Sequence, residues 1–288
     1  MAAGGRPASL ARRGGVFGRR LIAADAEHRR TVAAVQESLR GRSIDFTEVV
    51  PDRATGSELS RLGTADLVIS IGGDGTFLAV SHHVTRGAIL GVNSAPKDSV
   101  GHFCAARRAD VGRFLDGILA GRLRPVRLLR LQLELDGRRV SSPVLNDLLV
   151  VHSCAASTTR YRLRVGARSE EHRSSGIWIS TPAGSSAGIH SAGGRRMPTG
   201  SRRFQYRVRE LYREPGRIYR MAAGFLEGDE ALTVTSAMTE GRIFLDGRHS
   251  EIAFPFGATA RVTRSPDDLL AFVPASWETG RVQPLAWV

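Results

Sequence analysis

The stretch ADLVISIGGDGT, residues 65–76, is the most informative part of the chain: an apolar run ends in glycines and an acid. Short apolar runs bounded by turn residues are typical of strands buried on both faces of a parallel sheet. Ligands bind beyond the carboxyl ends of such strands, and glycines there let backbone N–H groups approach a phosphate. The next residues, GTFLAVSHHV, predict a helix whose positive dipole end would add to an anion site.

Asp74 places a carboxylate inside this anion-binding turn. It would suit a general base that takes a proton from a hydroxyl group attacking a phosphate. It would equally suit an ordinary turn residue or helix cap, since Asp–Gly is common in turns. The pentapeptide alone leaves both interpretations open. The chain has no GxxxxGK[ST] loop and no protein-kinase glycine loop, so a phosphoryl donor would be held in another way.

The elements around this turn alternate between helix and strand. In chain order we predict a helix with Val32, Val35 and Leu39 on one face that ends at Gly41, a strand at 43–50, the strand at 65–73 with its helix, a strand at 88–93 and a helix at 109–121. This order predicts an α/β domain with an open parallel sheet over residues 1–121, of which 1–18 would be flexible.

The pattern changes to β near residue 122. In 128–140, leucines alternate with polar residues, and Asp136–Gly137 supplies a hairpin turn. Further short strands are predicted within 143–151, 161–165, 176–180, 231–238, 242–247 and 269–274. We therefore expect a β-rich, sandwich-like domain over 122–288, with the last ~20 residues returning to the first domain and a mobile loop at 193–203.

Two further stretches of this second part suit a nucleotide. Asn146 and Asp147 stand together in an apolar strand, so one should point inward and need polar partners. Sugar hydroxyls and adenine edges would supply them; the alternative is a turn at a strand end. The loop TPAGSSAG, 181–188, is rich in hydroxyls and backbone N–H groups, which suits a nucleotide or an ordinary polar loop.

Taken in order, GGDGT, GVN, Asn-Asp, TPAGSSA…SAGG and FLDG resemble the NAD kinase family, and the similarity spans residues 65–250. The resemblance implies an α/β domain followed by a β-rich domain, and an enzyme that phosphorylates the adenosine 2′-hydroxyl of NAD to give NADP. Lipid kinases of the diacylglycerol and sphingosine type share GGDGT and are the alternative. An inactive NAD-binding regulator is another.

The resemblance also implies the site. Asp74 would be the base, and Gly73, Gly75 and Thr76 would lie near the phosphates. The remaining nucleotide-binding positions would be Asn93, Asn146, Asp147, Thr181, Gly184, Ser185, Ser186, Ala187 and Asp246. The donor would be ATP or polyphosphate, and Mg²⁺ would enter with the nucleotide.

Some positions depart from the common bacterial pattern of the family. Ser175 stands where many members have an acid, and Gly188 stands where they have an aromatic residue. GVNSAPKDSVGHFC, 91–104, instead looks similar to the branch that includes the animal mitochondrial NAD kinase.

Single basic residues near the motifs are weaker candidates. Lys97, His102 and His249 would each suit a phosphate or site contact, or an ordinary loop residue. At least one residue of the pair His82–His83 is expected at the surface.

Composition and charge argue against several other classes of protein. The net charge is +13, but the basic residues are scattered arginines with one lysine and no interleaved aromatics, so we predict no specific nucleic-acid binding. No apolar run reaches the ~20 residues of a membrane span, and the N-terminus lacks a secretory signal's apolar core. Cys104 and Cys154 form no CxxC, and the histidines have no ligand spacing. We expect a cytoplasmic protein without a structural metal, assembled as a dimer or tetramer.

Overall fold

The computed structural model describes residues 14–50, 53–247, 250–274 and 277. These residues fall into two compact units. Among the described residues, the first unit contains 14–80, 87–126 and 271–274, and the second contains 81–86, 127–270 and 277. The domain boundary at 121–122 stays a prediction.

The described part of the chain contains five α-helices, the 3₁₀ helix Ala183–Ser186 and seventeen strands. The helices are α1 (Gly15–Arg40), α2 (Gly56–Leu62), α3 (Asp74–Ser81), α4 (Val111–Leu119) and α5 (Gly188–Ser191). The strands are β1 (Leu67–Gly72), β2 (Ala88–Asn93), β3 (Ala106–Arg107), β4 (Val126–Leu128), β5 (Leu131–Leu135), β6 (Arg138–Arg139), β7 (Asp147–His152), β8 (Thr159–Val165), β9 (Arg168–Ser174), β10 (Gly176–Ser180), β11 (Phe204–Arg209), β12 (Ala223–Leu226), β13 (Leu232–Ser236), β14 (Gly241–Leu245), β15 (Ser250–Phe254), β16 (Thr259–Arg264) and β17 (Leu269–Phe272).

The first sheet is built on the apolar runs that the sequence places around the glycine turn. Its strand order is β1-β2-β17-β4, with β3 paired to β2. Strands β1 and β2 are parallel, and their register ends at Gly72 opposite Asn93. All six residues of β2 are buried, as expected for a strand covered on both faces. The predicted α/β class with a parallel sheet is therefore confirmed.

The helix that opens the described chain, α1, buries Val35 and Leu39, as its apolar face predicts. It begins at Gly15, so the last four residues of the segment predicted to be flexible, 15–18, are helical, and 1–13 lie outside the described residues. The prediction of a strand at 43–50 is wrong: the described chain there is irregular and mostly exposed, and Arg40 lies 5.7 Å from the centre of the Phe46 ring. Residues with β propensity form a strand only where packing supports them.

The second unit is a sandwich of two six-stranded antiparallel sheets, which confirms the β-rich prediction. The strand orders are β12-β11-β10-β7-β14-β15 and β6-β5-β16-β13-β8-β9. Alternate residues of both sheets, among them Leu133, Leu163, Ile177 and Ile243, join one buried core. The period of two in the sequence therefore places one set of side chains inside and leaves the other set on the outer faces.

Left-handed backbone occurs at two Asp–Gly pairs of this unit. Asp136 and Gly137 have φ of 50° and 76° and join β5 to β6, as the hairpin prediction required. Asp246 and Gly247 have φ of 50° and 96° directly after β14. Asp is among the residues that adopt this conformation most readily, and here it turns the Asp246 carboxylate back toward the start of β7.

Candidate active site

The glycine turn between β1 and α3 is tight on one side and open on the other. A Cβ at Gly72 would collide with the Thr76 side chain, and one at Gly73 would collide with the Ser99 hydroxyl. A Cβ at Gly75 would meet nothing within 4 Å. The first two positions therefore need glycine for close packing, whereas Gly75 is exposed at the first turn of α3. Such a turn leaves room for a large anion beside the helix N-terminus.

The carboxylate of Asp74 is half-buried and oriented by the backbone. Its Oδ1 accepts a hydrogen bond of 2.8 Å from the Phe103 N–H. The Phe103 ring is itself fixed, because it stacks on Phe77 with ring centres 5.2 Å apart. The nearby Cys104 thiol has its pKa raised to about 12, first by burial and then by the charge of Asp74. Asp74 is thus a positioned acid beside a thiol that stays protonated at neutral pH.

Asn93 lies opposite Gly72 and organises the loop that follows β2. Its side chain donates to the Ser99 carbonyl over 3.1 Å and accepts from the Ala95 N–H over 3.1 Å. Gly101 has a φ of 65° and packs so closely that a Cβ there would collide with the Asn93 amide. The predicted site residues Gly73, Asp74 and Asn93 therefore come together in the first unit, with Asn93 buried under its own loop.

The remaining candidates of this unit lie around that loop. Lys97 is exposed. His102 is half-buried and meets the Phe103 ring edge-on at 5.4 Å, which fits a packed loop histidine. Thr76 is half-buried in the first turn of α3, where it packs against Gly72.

The Asp246 carboxylate is the centre of the polar cluster in the second unit. Its side chain is 1% exposed, and it accepts hydrogen bonds from three consecutive backbone N–H groups. The donors are Leu145 at 2.9 Å, Asn146 at 2.6 Å and Asp147 at 3.1 Å. One side chain thereby satisfies the backbone at the point where β7 begins, which otherwise would leave buried donors without partners.

His82 completes this cluster, and sequence analysis missed it. Its Nε2 lies 2.7 Å from Oδ2 of Asp246, and its side chain is 10% exposed. His83, the other member of the pair, is half-buried and keeps part of its surface exposed. Burial, and next the neighbouring His82, lower the pKa of His83. The two partners of the His82–Asp246 pair are 164 positions apart, so no local pattern connects them.

Asn146 and Asp147 stand where β7 begins, and Asp147 is the first residue of the strand. Asn146 precedes the strand, and its Nδ2 donates to Oδ2 of Asp147 over 3.2 Å. Asp147 is the buried member of the pair, 5% exposed. Burial, and next the charge of Asp246, raise the pKa of Asp147 to about 7. This carboxyl group therefore exists in both protonation states near neutral pH, so it can donate or accept a hydrogen bond.

The loop at 181–187 packs directly against Asn146. Thr181 donates from its N–H to the Asn146 carbonyl over 3.1 Å and from its hydroxyl to the Leu145 carbonyl over 2.5 Å. A Cβ at Gly184 would collide with the Asn146 carbonyl, so only glycine fits there. The structure thus brings Asn146, Asp147, Thr181, Gly184 and Asp246 together in the second unit.

Ser185, Ser186 and Ala187 occupy the end of this loop. The Ser185 hydroxyl is buried and holds the loop itself, donating to the Pro182 carbonyl at 2.7 Å and accepting from the Met197 N–H at 2.9 Å. Ser186 and Ala187 are half-buried, at the end of the 3₁₀ turn Ala183–Ser186 and just after it.

Gly188 begins α5 and lies against an indole ring. A Cβ at Gly188 would stand 2.9 Å from Cζ2 of Trp178. Trp178 is half-buried in the middle of β10.

The described residues were expected to contain neither a structural metal site nor a membrane span. In the parts of the chain that the structure describes, no three His, Cys, Asp or Glu side chains gather as a metal site would require. No helix within those parts is long and apolar enough to cross a bilayer. His249 lies outside the described residues.

The known proteins that this chain resembles are kinases of NAD and NADH. The family described as "ATP-NAD kinase N-terminal domain" matches residues 25–123. A "Probable NADH kinase" from Oryza sativa subsp. japonica is 32% identical over 269 residues, which are 86% of this chain and 82% of that protein. An "NADH kinase" from Arabidopsis thaliana is 31% identical over 270 residues, 85% of this chain and 83% of that protein.

Solved structures show the same fold. An NAD kinase from Archaeoglobus fulgidus, crystallised in complex with ATP, superimposes with a TM-score of 0.70 at 18% identity and covers 86% of this chain and 92% of its own. Yeast NADH kinase complexed with NADH gives a TM-score of 0.64 at 15% identity, with coverage of 74% and 62%.

Proposed function

The chain belongs to the NAD kinase family of phosphotransferases, and from this premise we propose that it phosphorylates the 2′-hydroxyl of the adenosine ribose of NAD or NADH with ATP. The plant relatives named above are NADH kinases, which makes the reduced dinucleotide a substrate to test beside the oxidised one. Membership of the branch with the animal mitochondrial enzyme stays a prediction, as do the cytoplasmic location and the oligomeric state.

The observation that carries the proposal is the position of Asp74. It stands where β1 gives way to α3, in a turn whose tight glycines are followed by the open Gly75. Its carboxylate is held by the Phe103 N–H through one oxygen. A fixed carboxylate at a phosphate-binding turn is what general-base catalysis of phosphoryl transfer needs. A role as a turn residue or helix cap is the alternative, and the activity of the Asp74→Asn variant distinguishes the two roles.

In the proposed step the Asp74 carboxylate takes the proton of the 2′-hydroxyl. The ribose oxygen forms a bond to the γ-phosphorus of ATP, and the bond from that phosphorus to the β,γ-bridging oxygen breaks. ADP leaves with the bonding electron pair, and NADP, or NADPH from the reduced substrate, is the other product. General-base catalysis contributes about 10²–10⁴-fold to such a rate.

Asn146 and Asp147 are proposed to hold the adenosine of the dinucleotide. The Asp246 carboxylate fixes their backbone, so both side chains are presented from a rigid strand start. The carboxyl of Asp147, with its pKa raised to about 7, can accept from a sugar hydroxyl when ionised and donate to an adenine nitrogen when protonated. Because Gly184 has no side chain, its loop packs directly against the Asn146 carbonyl, and we propose that this loop forms one wall of the adenosine pocket.

The phosphates are proposed to bind at Gly73, Gly75 and Thr76 of the glycine turn. Backbone N–H groups at the start of a helix attract anions through the helix dipole. Mg²⁺ is proposed to arrive as part of the ATP substrate, held mainly by phosphate oxygens, as is usual for this ion. The hydroxyls of Thr181 and Ser185 already hold their own loop, and so do the N–H groups of Thr181, Ser185 and Ala187. We therefore propose that this loop contributes the shape of the pocket wall.

The test is to identify the product. The purified chain is incubated with NAD or NADH, with ATP or polyphosphate as donor and Mg²⁺, and the product is analysed with an NADP-specific dehydrogenase and by phosphorus NMR. We expect a 2′-phosphate on the adenosine ribose. Diacylglycerol and sphingosine are offered in parallel. Lipid phosphorylation without NADP, or dinucleotide binding without any product, would replace the proposal by the lipid-kinase or regulator alternative, neither of which the relatives named above support.

A further inference from the structure

We propose that Trp178 is a substrate-contacting residue: its indole ring stacks on a heterocyclic ring of the dinucleotide, in place of the aromatic residue that position 188 lacks. The inference rests on the proposed function and assigns a contact that the sequence motifs do not include.

Trp178 projects from the outer face of the sheet. Its neighbours along β10, Ile177 and Ile179, are completely buried in the core of the sandwich. Because successive strand residues point to opposite faces, the Trp178 side chain must point away from that core. It is half-buried there, so part of a large apolar ring remains accessible. A partly exposed indole at a functional face is typical of a ligand contact.

The ring occupies the space that a side chain at position 188 would need. The ideal Cβ of Gly188 would lie 2.9 Å from Cζ2, 3.2 Å from Cε2 and 3.3 Å from Cη2 of Trp178. The φ of Gly188 is outside the left-handed region, so the backbone itself would accept a side chain. The indole is therefore what excludes one. An aromatic group is present at this place, but it comes from β10 and not from α5.

Asp147, which is proposed to hold the nucleotide, lies close to Trp178 on the sheet. In the register of β10 and β7, Trp178 stands opposite Leu149, and Ser180 stands opposite Asp147. Trp178 and Asp147 are thus diagonal neighbours on the same face, about 7–8 Å apart between backbones and within reach of an aromatic side chain. A nucleotide whose sugar meets Asp147 therefore brings a heterocycle within reach of the indole.

The charge on this face also suits a ring contact with a phosphorylated ligand. Arg207 stands opposite Trp178 on the other neighbouring strand, and its Nε donates to the Ala192 carbonyl at 2.9 Å. A cation fixed beside the indole favours the anionic linker of a dinucleotide. Stacking between a base and an aromatic side chain is usually strong enough to change a dissociation constant by about 5- to 150-fold.

Three single variants and one double variant test the contact. Trp178→Ala should weaken binding of NADH by about 5- to 150-fold, measured by calorimetry, whereas Trp178→Phe should lose much less. Gly188→Tyr alone should also weaken binding, because the new side chain displaces the indole. The double variant Trp178→Ala, Gly188→Tyr should regain affinity, since it restores an aromatic ring from the other side. Phe256→Ala, which removes a ring that is 73% exposed elsewhere in the unit, is the matched control.

The ligands distinguish which ring is stacked. ADP-ribose lacks the nicotinamide, so an equal loss of affinity for ADP-ribose and NADH in Trp178→Ala assigns the adenine, and a loss confined to NADH assigns the nicotinamide. An affinity of Trp178→Ala equal to that of the wild type, or a double variant no better than the single ones, overturns the inference. A wild-type chain that binds neither dinucleotide overturns the proposed function instead, so the two failures are separable. Thermal melting of each variant confirms that it is folded.

Discussion

Replacing Asp246 by Asn should destabilise the second unit, because three N–H groups and an imidazole converge on this one carboxylate. Oδ1 accepts the N–H groups of Asn146 and Asp147, and Oδ2 accepts the N–H of Leu145 and meets His82. The Asp246→Asn side chain would have one oxygen and one NH₂ group. With the NH₂ turned toward His82, the imidazole can accept from it, but the buried Leu145 N–H then faces another donor.

The decrease in the free energy of unfolding can be estimated from these contacts. An unsatisfied buried N–H costs about 1–3 kcal/mol, and the remaining bonds lose their charge-assisted strength, so the free energy of unfolding should fall by about 2–4 kcal/mol. For a unit of this size each kcal/mol lowers the melting temperature by about 2–4 °C, which gives a decrease of about 4–16 °C. Asp229→Asn, at an exposed acid of the same unit, should change the stability by less than about 0.5 kcal/mol.

The same variant should change the pH dependence of stability. Burial, and next the charge of Asp246, raise the pKa of Asp147 to about 7, whereas an unfolded Asp titrates near 3.9. Between these two pKa values the folded chain binds more protons than the unfolded chain, so its stability should fall as the pH rises from about 4 to about 7. Removing the Asp246 charge lowers the pKa of Asp147 and should flatten that decline.

Urea unfolding and thermal melting at both ends of this pH range measure the two effects. A melting temperature of Asp246→Asn within about 2 °C of the wild type at neutral pH, together with an unchanged pH dependence, would refute the role assigned to this carboxylate.

Two further predictions concern the cysteines and the glycine turn. Cys154 is exposed, and its pKa is lowered first by a hydrogen bond from the Ala156 backbone, whereas burial raises the pKa of Cys104 to about 12. Mass spectrometry after brief alkylation at neutral pH should therefore find Cys154 modified and Cys104 intact. Equal labelling of the two thiols would contradict the burial of Cys104. Gly73→Ala should lower the melting temperature, because the new Cβ meets the Ser99 hydroxyl at a cost of about 1–3 kcal/mol. Gly75→Ala, which adds a Cβ in open space, should melt like the wild type. A Gly73→Ala variant as stable as Gly75→Ala would show that the turn is less tightly packed than described.

The fold is predictable from the sequence because the strands and the glycine turn that define it each lie within a short stretch of the chain. The apolar run 65–73 and its glycines predict both β1 and the turn, and alternating residues predict the sandwich strands. The strand expected at 43–50 shows the limit of such patterns: its residues favour β structure, but a strand also needs packing partners, which the local sequence does not specify.

The candidate site was predictable only where a motif marks it. Asp74, Asn146 and Asp147 stand in recognisable stretches, and the structure places each beside the groups that orient it. His82 and Trp178 carry no such mark. The contact of His82 joins positions far apart in the chain, and that of Trp178 depends on the absence of a side chain on a neighbouring helix. Tertiary packing creates both, so they emerge only from the folded chain.

A comparison of Asp74→Asn with Asp66→Asn is the sharpest test of the proposed general base. The Asn side chain keeps an oxygen that can accept from the Phe103 N–H, so the fold should persist, but an amide cannot take the proton of the 2′-hydroxyl. Asp66 is an exposed acid at the opposite end of β1 and serves as the control. We predict that Asp74→Asn binds NAD or NADH as the wild type does and forms NADP or NADPH about 10²–10⁴-fold more slowly, while Asp66→Asn keeps full activity. Near wild-type turnover in a folded Asp74→Asn variant would contradict the assignment of Asp74 as the base.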